Sequence, residues 1–368
     1  MRALAGLLLL AVAAAAAEPR WRLRYFYDEP REELAITDLQ FASARHGVAV
    51  AALRRDGRWR PFVLRTTDAG ENWRLIPIPD RGLSLFLLDE SVGWMAAEKG
   101  LWKTRDGGAT WTRVPGPRNV LRVWFASENR GWAIGLEKGV WETRDGGRRW
   151  TPLPVLDQVR STREFTVFEW ITFVSGRHGL IAGASSRPRD PDASWPEWMD
   201  PEAAEARRQR PTLSILLETR DGGETWKHST TSMFGRITRV RLAADGRGLG
   251  LVEFHDAFPW RSEVFRLDWR TGHSERVFRR EDRAVTDVAL LDEGPAYLAA
   301  VEPPGKLRHS PVPGRLRILE SHDLTHWNEM PVDYRAVARR AVLAAAPSGG
   351  LWAATDTGMI LSLDQTPR

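Results

Sequence analysis

The chain has 368 residues, 42% of them hydrophobic, and no cysteine, which excludes a disulfide framework, a lipid-modified N-terminal cysteine, thiolate catalysis and cysteine-ligated metals. Its 53 basic and 48 acidic residues leave a formal charge of +5; so small an excess reads as mixed surface charge, and with an export signal it argues against a nucleic-acid partner. The 18 tryptophans are far above ordinary usage and call for a place that recurs.

In chain order, Met1-Arg2 is followed by an apolar run to Ala17 that ends Ala15-Ala16-Ala17. A charged start, a short apolar run and small residues at its end define a secretory signal peptide over residues 1–17. The run is shorter than the roughly 20 residues of a membrane helix. Cleavage near Ala17 places the mature protein in the periplasm or outside the cell. Residues 21–27 (WRLRYFY) then alternate large apolar and basic side chains, the pattern of one isolated strand.

From there a unit recurs: a strand ending in Phe or Leu, a polar turn, a Gly, a second strand, a third strand, an Asp-containing turn, and a fourth strand near a Trp. Phe41 to Gly47, Leu87 to Gly93, Phe125 to Gly131, Phe173 to Gly179, Leu242 to Gly248 and Leu343 to Gly349 keep one separation, and Leu290 to Gly294 reads as a shorter variant. Seven units begin near Leu34, Leu83, Val120, Phe165, Arg236, Val285 and Ala336. The last lacks a fourth strand, which residues 21–27 supply, so that the ring closes between the termini and leaves no open edge. The expected fold is therefore all-β: a seven-bladed β-propeller spanning residues 18–368 as one domain.

The loudest repeat is the turn between strands three and four. Thr66-Thr67-Asp68-Ala69-Gly70-Glu71-Asn72-Trp73 is followed by near-copies beginning at Thr104, Thr143 and Thr219, with steps of 38, 39 and 76 residues, and Ser321 to Trp327 is a damaged copy. The long step comes from an insertion, residues 185–212 in the fourth blade, rich in proline and containing Trp195 and Trp198. Within it, Asp200-Pro201-Glu202 reads as the start of a short helix that Pro211 stops. The roles in the repeated turn are structural: Thr66, Asp68, Thr104, Asp106, Thr143, Asp145, Thr219 and Asp221 bond the turn's own backbone. Gly70, Gly108, Gly147 and Gly223 permit positive φ, while Trp73, Trp111, Trp150 and Trp226 bury apolar surface beneath it.

T-x-D-G-G-x-x-W resembles the Asp box, or BNR repeat, of sialidases and related propellers. The longer string Gly131-Trp132-Ala133-Ile134-Gly135 with Gly139 to Gly147, repeated as Gly93 to Ala97 with Gly100 to Trp111, resembles the photosystem II stability/assembly factor family. That resemblance is strong over residues 35–228, fades beyond, and implies a non-enzymatic propeller that binds a protein client.

Catalytic residues are not expected. A sialidase needs a tyrosine nucleophile with a carboxylate partner. The chain has only Tyr25, Tyr27, Tyr297 and Tyr334, of which the first three fall in expected strands. His322 and His326 lie four apart, but in a strand and turn rather than on a helix, so no metal site is expected. No cofactor is expected either.

Chain direction puts the repeated turns on one rim and the long, Arg- and Trp-rich loops on the other. Those loops present Arg54, Arg58, Trp59, Arg160, Arg163, Trp195, Trp198, His255, Trp260, Arg261 and Arg335, residue types enriched at interface hot spots. They are the candidate partner-binding residues, for a protein client that is a membrane protein or its exposed segment, with peripheral membrane association and a monomeric state expected. Solvated arginine-rich loops are the plain alternative, and glycan binding or a sialidase-like activity is the second functional class.

Overall fold

The computed structural model describes residues 19–186, 211–254, 258–303, 312–347 and 349–364. They form seven antiparallel sheets arranged as a seven-bladed β-propeller. The innermost strands are Glu32–Phe41, Gly82–Leu87, Val120–Phe125, Thr166–Val174, Arg236–Leu242, Ala284–Leu290 and Ala341–Ala345, and each neighbours the next around a central channel, the last returning to the first. The N-terminal strand Arg20–Phe26 is the outer strand of blade 7, paired with Met359–Asp364. Among the described residues no helix is long and apolar enough to cross a membrane. The expected short helix from residue 200 lies outside the described residues.

Why a glycine follows the first strand of blades 1, 3 and 4 is visible in the packing. A Cβ at Gly47, Gly131 or Gly179 would sit 2.6, 2.4 or 2.4 Å from the ring of Phe41, Phe125 or Phe173, respectively. The phenyl ring lies flat over the glycine, where it stacks on a tryptophan: Phe41 on Trp352 at 3.6 Å and Phe125 on Trp94 at 3.7 Å between ring centroids. These stacks cross from one blade to its neighbour, so the spacing in the sequence records an inter-blade contact.

Blades 6 and 7 correct the alignment. Leu290 pairs with Ala296, not Gly294, and Ala345 pairs with Leu351, so both keep the common six-residue separation without a glycine. With no phenyl ring above it, that position has room for a side chain. Residues 337–338, expected in blade 7, instead pair with Gly314 and Arg315 at the edge of blade 6.

The repeated turns share one set of bonds. The Thr Oγ1 donates to the Asp Oδ1, at 2.8 Å in Thr104 and 3.1 Å in Thr143, and accepts the second glycine's N–H at 2.8 Å in both. Asp68, Asp106, Asp145 and Asp221 each accept the N–H four residues on, at 2.8 to 3.0 Å. Gly70, Gly108, Gly147 and Gly223 have φ of 83 to 89°, a conformation natural only to glycine. Trp73, Trp111 and Trp150 donate Nε1–H to the carbonyl of that glycine. In the damaged copy Ser321 Oγ still donates to Asp323, and Leu324 takes the positive φ.

Each turn also docks on the strand-one-to-two turn of its own blade: Ala69, Gly107, Gly146 and Gly222 donate to the carbonyls of Arg45, Ser91, Asn129 and Arg177. Both kinds of turn therefore share a rim. Histidines latch this rim across blades. His46 Nε2 donates to Gly107 O at 2.9 Å, and His178 stacks on Trp269 at 4.4 Å. Burial pushes both imidazoles below their ordinary value of 6.5, so the neutral forms are favoured in the folded state. Their contribution is present above pH 6.5 and is lost as the pH falls through the depressed folded values. Urea midpoints measured between neutral and mildly acidic pH are expected to fall, and to fall less in the H46Q/H178Q double variant; equal slopes would remove the histidines as the cause.

Candidate functional site

The rim opposite the repeated turns carries the predicted partner-binding residues that are described, spread over several blades. On blade 1, Arg54, Arg58 and Trp59, expected in a loop, instead lie in strands two and three themselves, at the hairpin end where Arg54 pairs with Trp59 and Arg55 with Arg58. Trp59 is 41% exposed, and the Arg54 and Arg81 guanidiniums lie 5.9 and 5.6 Å from its ring. Between blades 3 and 4, Arg160 and Arg163 are exposed, Arg163 lying 3.7 Å from Glu137. On blade 5, Trp260 meets Phe254 and Phe258, with Arg279 over its ring at 3.8 Å and Arg261 beside it in the chain. Phe258 also meets Phe234, which is 43% exposed. Between blades 6 and 7, Arg335 is held by Asp333 at 2.8 and 3.0 Å. Trp195, Trp198 and His255 lie outside the described residues. The described members of the set thus lie on separate blades, and the exposed aromatics are Trp59 on blade 1, Phe234 beside blade 5, Tyr334 between blades 6 and 7 and Phe26 on blade 7.

Residues missed from the sequence meet in the channel. Six of the seven first strands are irregular near their start, and the residue after the skipped position turns into the centre: Asp38, Ser84, Arg122, Trp170, Arg239 and Asp287. Most of these join their blade to the next. Asp38 accepts Leu85 N–H, Ser84 donates to Leu121 O, Trp170 Nε1 donates to Val240 O, and Asp287 accepts Leu343 N–H. Arg122 instead reaches across the channel to Asp38 at 3.5 Å. The guanidiniums of Arg122, Arg239 and Arg241 all lie on the Trp170 ring, at 4.3, 4.7 and 4.8 Å. Each member stands three residues before the Phe or Leu that closes its strand, so superposing the seven first strands would have found them.

At the loop-bearing mouth of this channel, Arg340 grips Glu253 at 2.8 and 3.1 Å, joining blade 7 to blade 5, and Arg236 lies 3.3 Å from Glu169. Burial pushes Glu169 up, whereas Arg340 holds Glu253 below the usual carboxylate range despite its burial.

The tyrosines are not poised as nucleophiles. Tyr297, 1% exposed, donates to Glu320 Oε1 at 2.8 Å, and Tyr27 donates to Glu32. Burial, then the neighbouring carboxylate, raises both phenols, Tyr27 to about 12, the opposite of activation. Tyr25 is raised by burial, and Tyr334 is 83% exposed. His326 Nδ1 is engaged by Asp323 at 2.6 Å, and no cluster of three metal-ligating side chains occurs among the described residues.

The architecture defines a seven-bladed β-propeller with an aromatic and arginine-bearing loop rim and a channel lined by charged side chains. Its fold is similar to that of the photosystem II assembly factor YCF48, solved with a D1 peptide, at a TM-score of 0.60 and 16% identity over 93% of this chain and 99% of that one. YCF48 from Cyanidioschyzon merolae matches at a TM-score of 0.59 with 15% identity over 93% and 98%. An ancestral GH74 enzyme matches at 0.55 with 11% identity, over 92% of this chain and 46% of that one. No protein-family profile and no curated protein matches the chain.

Proposed function

We propose that the chain is an exported, non-enzymatic scaffold that binds a protein client through its loop-bearing rim, in the manner of an assembly factor. The observation that carries this reading is Trp59, exposed at the tip of a blade-1 hairpin and flanked by Arg54 and Arg81. The aromatic group of Phe234, Phe254, Phe258 and Trp260 on blade 5 is the second anchor. An aromatic anchor bordered by guanidiniums suits an acidic, partly apolar peptide segment, such as one projecting from a membrane protein. That YCF48 has been solved with a D1 peptide supports the same mode of use for a monomer of this fold.

Trp59→Ala is expected to weaken client capture by about 2 kcal/mol, or roughly 30-fold, while leaving the thermal midpoint unchanged. Quantitative capture from the envelope fraction, wild type against W59A and F258A, reads this; equal recovery by both variants would sink the rim as the binding face.

The likeness to a GH74 enzyme supports a second reading, glycan recognition by the same exposed aromatics. The buried channel carboxylates do not serve it as acid and base, because Asp38 and Asp287 each accept two backbone N–H bonds. A glycan array and a panel of chromogenic glycosides discriminate: specific binding or turnover would replace the client reading.

A further inference from the structure

We propose that the central channel is a binding site for a small carboxylate with an apolar body, its charged end held by Arg122 and Arg241. A cavity of about 270 Å³ lies in the channel. Its lining runs from Asp38, Arg122 and Trp170 toward Phe41, Leu290 and Ala345, the last residues of their strands, and so toward the rim of the repeated turns. The Arg340–Glu253 and Arg236–Glu169 pairs lie at the opposite mouth.

The charged end of the cavity holds more positive charge than its carboxylates neutralise. Three guanidiniums surround Trp170, and two carboxylates face them. Both carboxylates are already engaged by the backbone. Asp38 accepts Leu39 and Leu85 N–H at 3.0 and 2.9 Å, and Asp287 accepts Val288 and Leu343 N–H at 2.9 Å each. The ion pairs left to the arginines are correspondingly long: 3.5 Å for Arg122, 3.3 Å for Arg239 and 4.0 Å for Arg241. Surface pairs in the same molecule close to 2.6 and 2.7 Å.

Arg122 is the clearest case of unused capacity. Its Nε is buried and donates to no protein acceptor, a costly state for a charged donor away from water. Burial, reinforced by Arg239 and Arg241 and only partly offset by Asp38, lowers this guanidinium to about 10. It therefore remains charged at neutral pH. An incoming oxyanion would supply the missing acceptor and separate the repelling guanidiniums, and a carboxylate accepts such forked donors well.

The remainder of the cavity selects the apolar body. Phe86 and Trp124 of blades 2 and 3 form an aromatic wall, and Ala289, Ala344 and Ala345 of blades 6 and 7 face the same space. Small side chains on one side leave the volume, and the rings opposite offer stacking surface. An inorganic oxyanion would use the arginines and leave this wall empty.

The test is calorimetric titration of the mature protein with 3-phenylpropionate, its neutral isostere 3-phenylpropionamide, and sulfate. The carboxylate is expected to bind one to one, with the amide and sulfate at least about tenfold weaker. Ala344→Phe, which fills the cavity without touching charge, should remove binding, as should Ala289→Phe from the neighbouring blade. Arg122→Met should abolish the preference for the acid over the amide. Equal affinity for acid and amide, sulfate binding more tightly than the carboxylate, no carboxylate binding at millimolar concentration, or unchanged affinity in a folded A344F or A289F protein would each overturn the proposal.

Discussion

Replacing Trp132 by alanine is expected to cost about 4 kcal/mol of stability, the middle of the range for loss of a buried aromatic side chain. Trp132 is fully buried in the second strand of blade 3. Its ring stacks on Phe173 of blade 4 at 4.8 Å and meets Trp226, from the blade-4 turn, edge-on at 6.3 Å. The Arg130 guanidinium lies over the Trp132 ring itself, 5.1 Å from its centroid. The second glycine of the blade-4 turn is so close that a Cβ at Gly223 would fall 2.3 Å from the indole. One side chain thus fastens a strand of blade 3 to a strand and a turn of blade 4. Alanine leaves a cavity that three rigid elements cannot collapse to fill. Urea unfolding followed by far-ultraviolet circular dichroism reads the loss, with Trp59→Ala as the exposed control, expected within about 0.5 kcal/mol of wild type. A W132A protein as stable as that control would show that blades 3 and 4 are held by other contacts.

The same contact explains which parts of the architecture were legible. Where a phenyl ring covers the glycine after the first strand, as with Phe41, Phe125 and Phe173, the chain cannot vary the pair independently, and the spacing stands out. At Leu290 with Ala296 and Ala345 with Leu351 the backbone register persists but no ring enforces a glycine. The spacing there became readable only from the pairing. The loop rim was legible as composition, because Arg and Trp gather between strands two and three and between blades, although Arg54, Arg58 and Trp59 prove to be paired strand residues. How its members group was not, since which aromatics remain exposed depends on packing between loops, as at Phe234 and Phe258. The channel was hidden for another reason. Asp38, Arg122, Trp170, Arg239 and Asp287 each look unexceptional in their own blade, and become a cluster only when the ring sets seven strands around one axis.

Removing the N-terminal strand is expected to abolish the closed ring. Residues 20–26 pair with Met359–Asp364 from Arg20 opposite Asp364 to Phe26 opposite Met359, so they complete blade 7 with chain from the other terminus. The strand also ties blade 7 to both neighbours. Toward blade 6, Trp21 N–H donates to Pro331 O at 2.9 Å and Trp21 O accepts Asp333 N–H at 3.2 Å. Toward blade 1, Arg24 pairs with Glu71 at 3.0 Å while also holding Asp364 at 2.6 Å. Trp21, 1% exposed, packs edge-on to Tyr297 at 6.4 Å within a core shared by blades 6 and 7. Truncation removes that core residue and leaves Met359–Asp364 as a bare edge of unpaired backbone donors and acceptors, a template for pairing between chains. A protein beginning at residue 28 should therefore elute as soluble aggregate in size-exclusion chromatography with light scattering and lose its cooperative thermal transition. A synthetic peptide of residues 19–27 added during refolding should restore the mass and elution of the intact protein, because the register is set by the side chains of Trp21 and Arg24 rather than by covalent connection. A truncated chain that keeps the mass per particle of the intact protein, with a thermal midpoint within a few degrees of it, would mean that the ring closes without its seventh-blade strand.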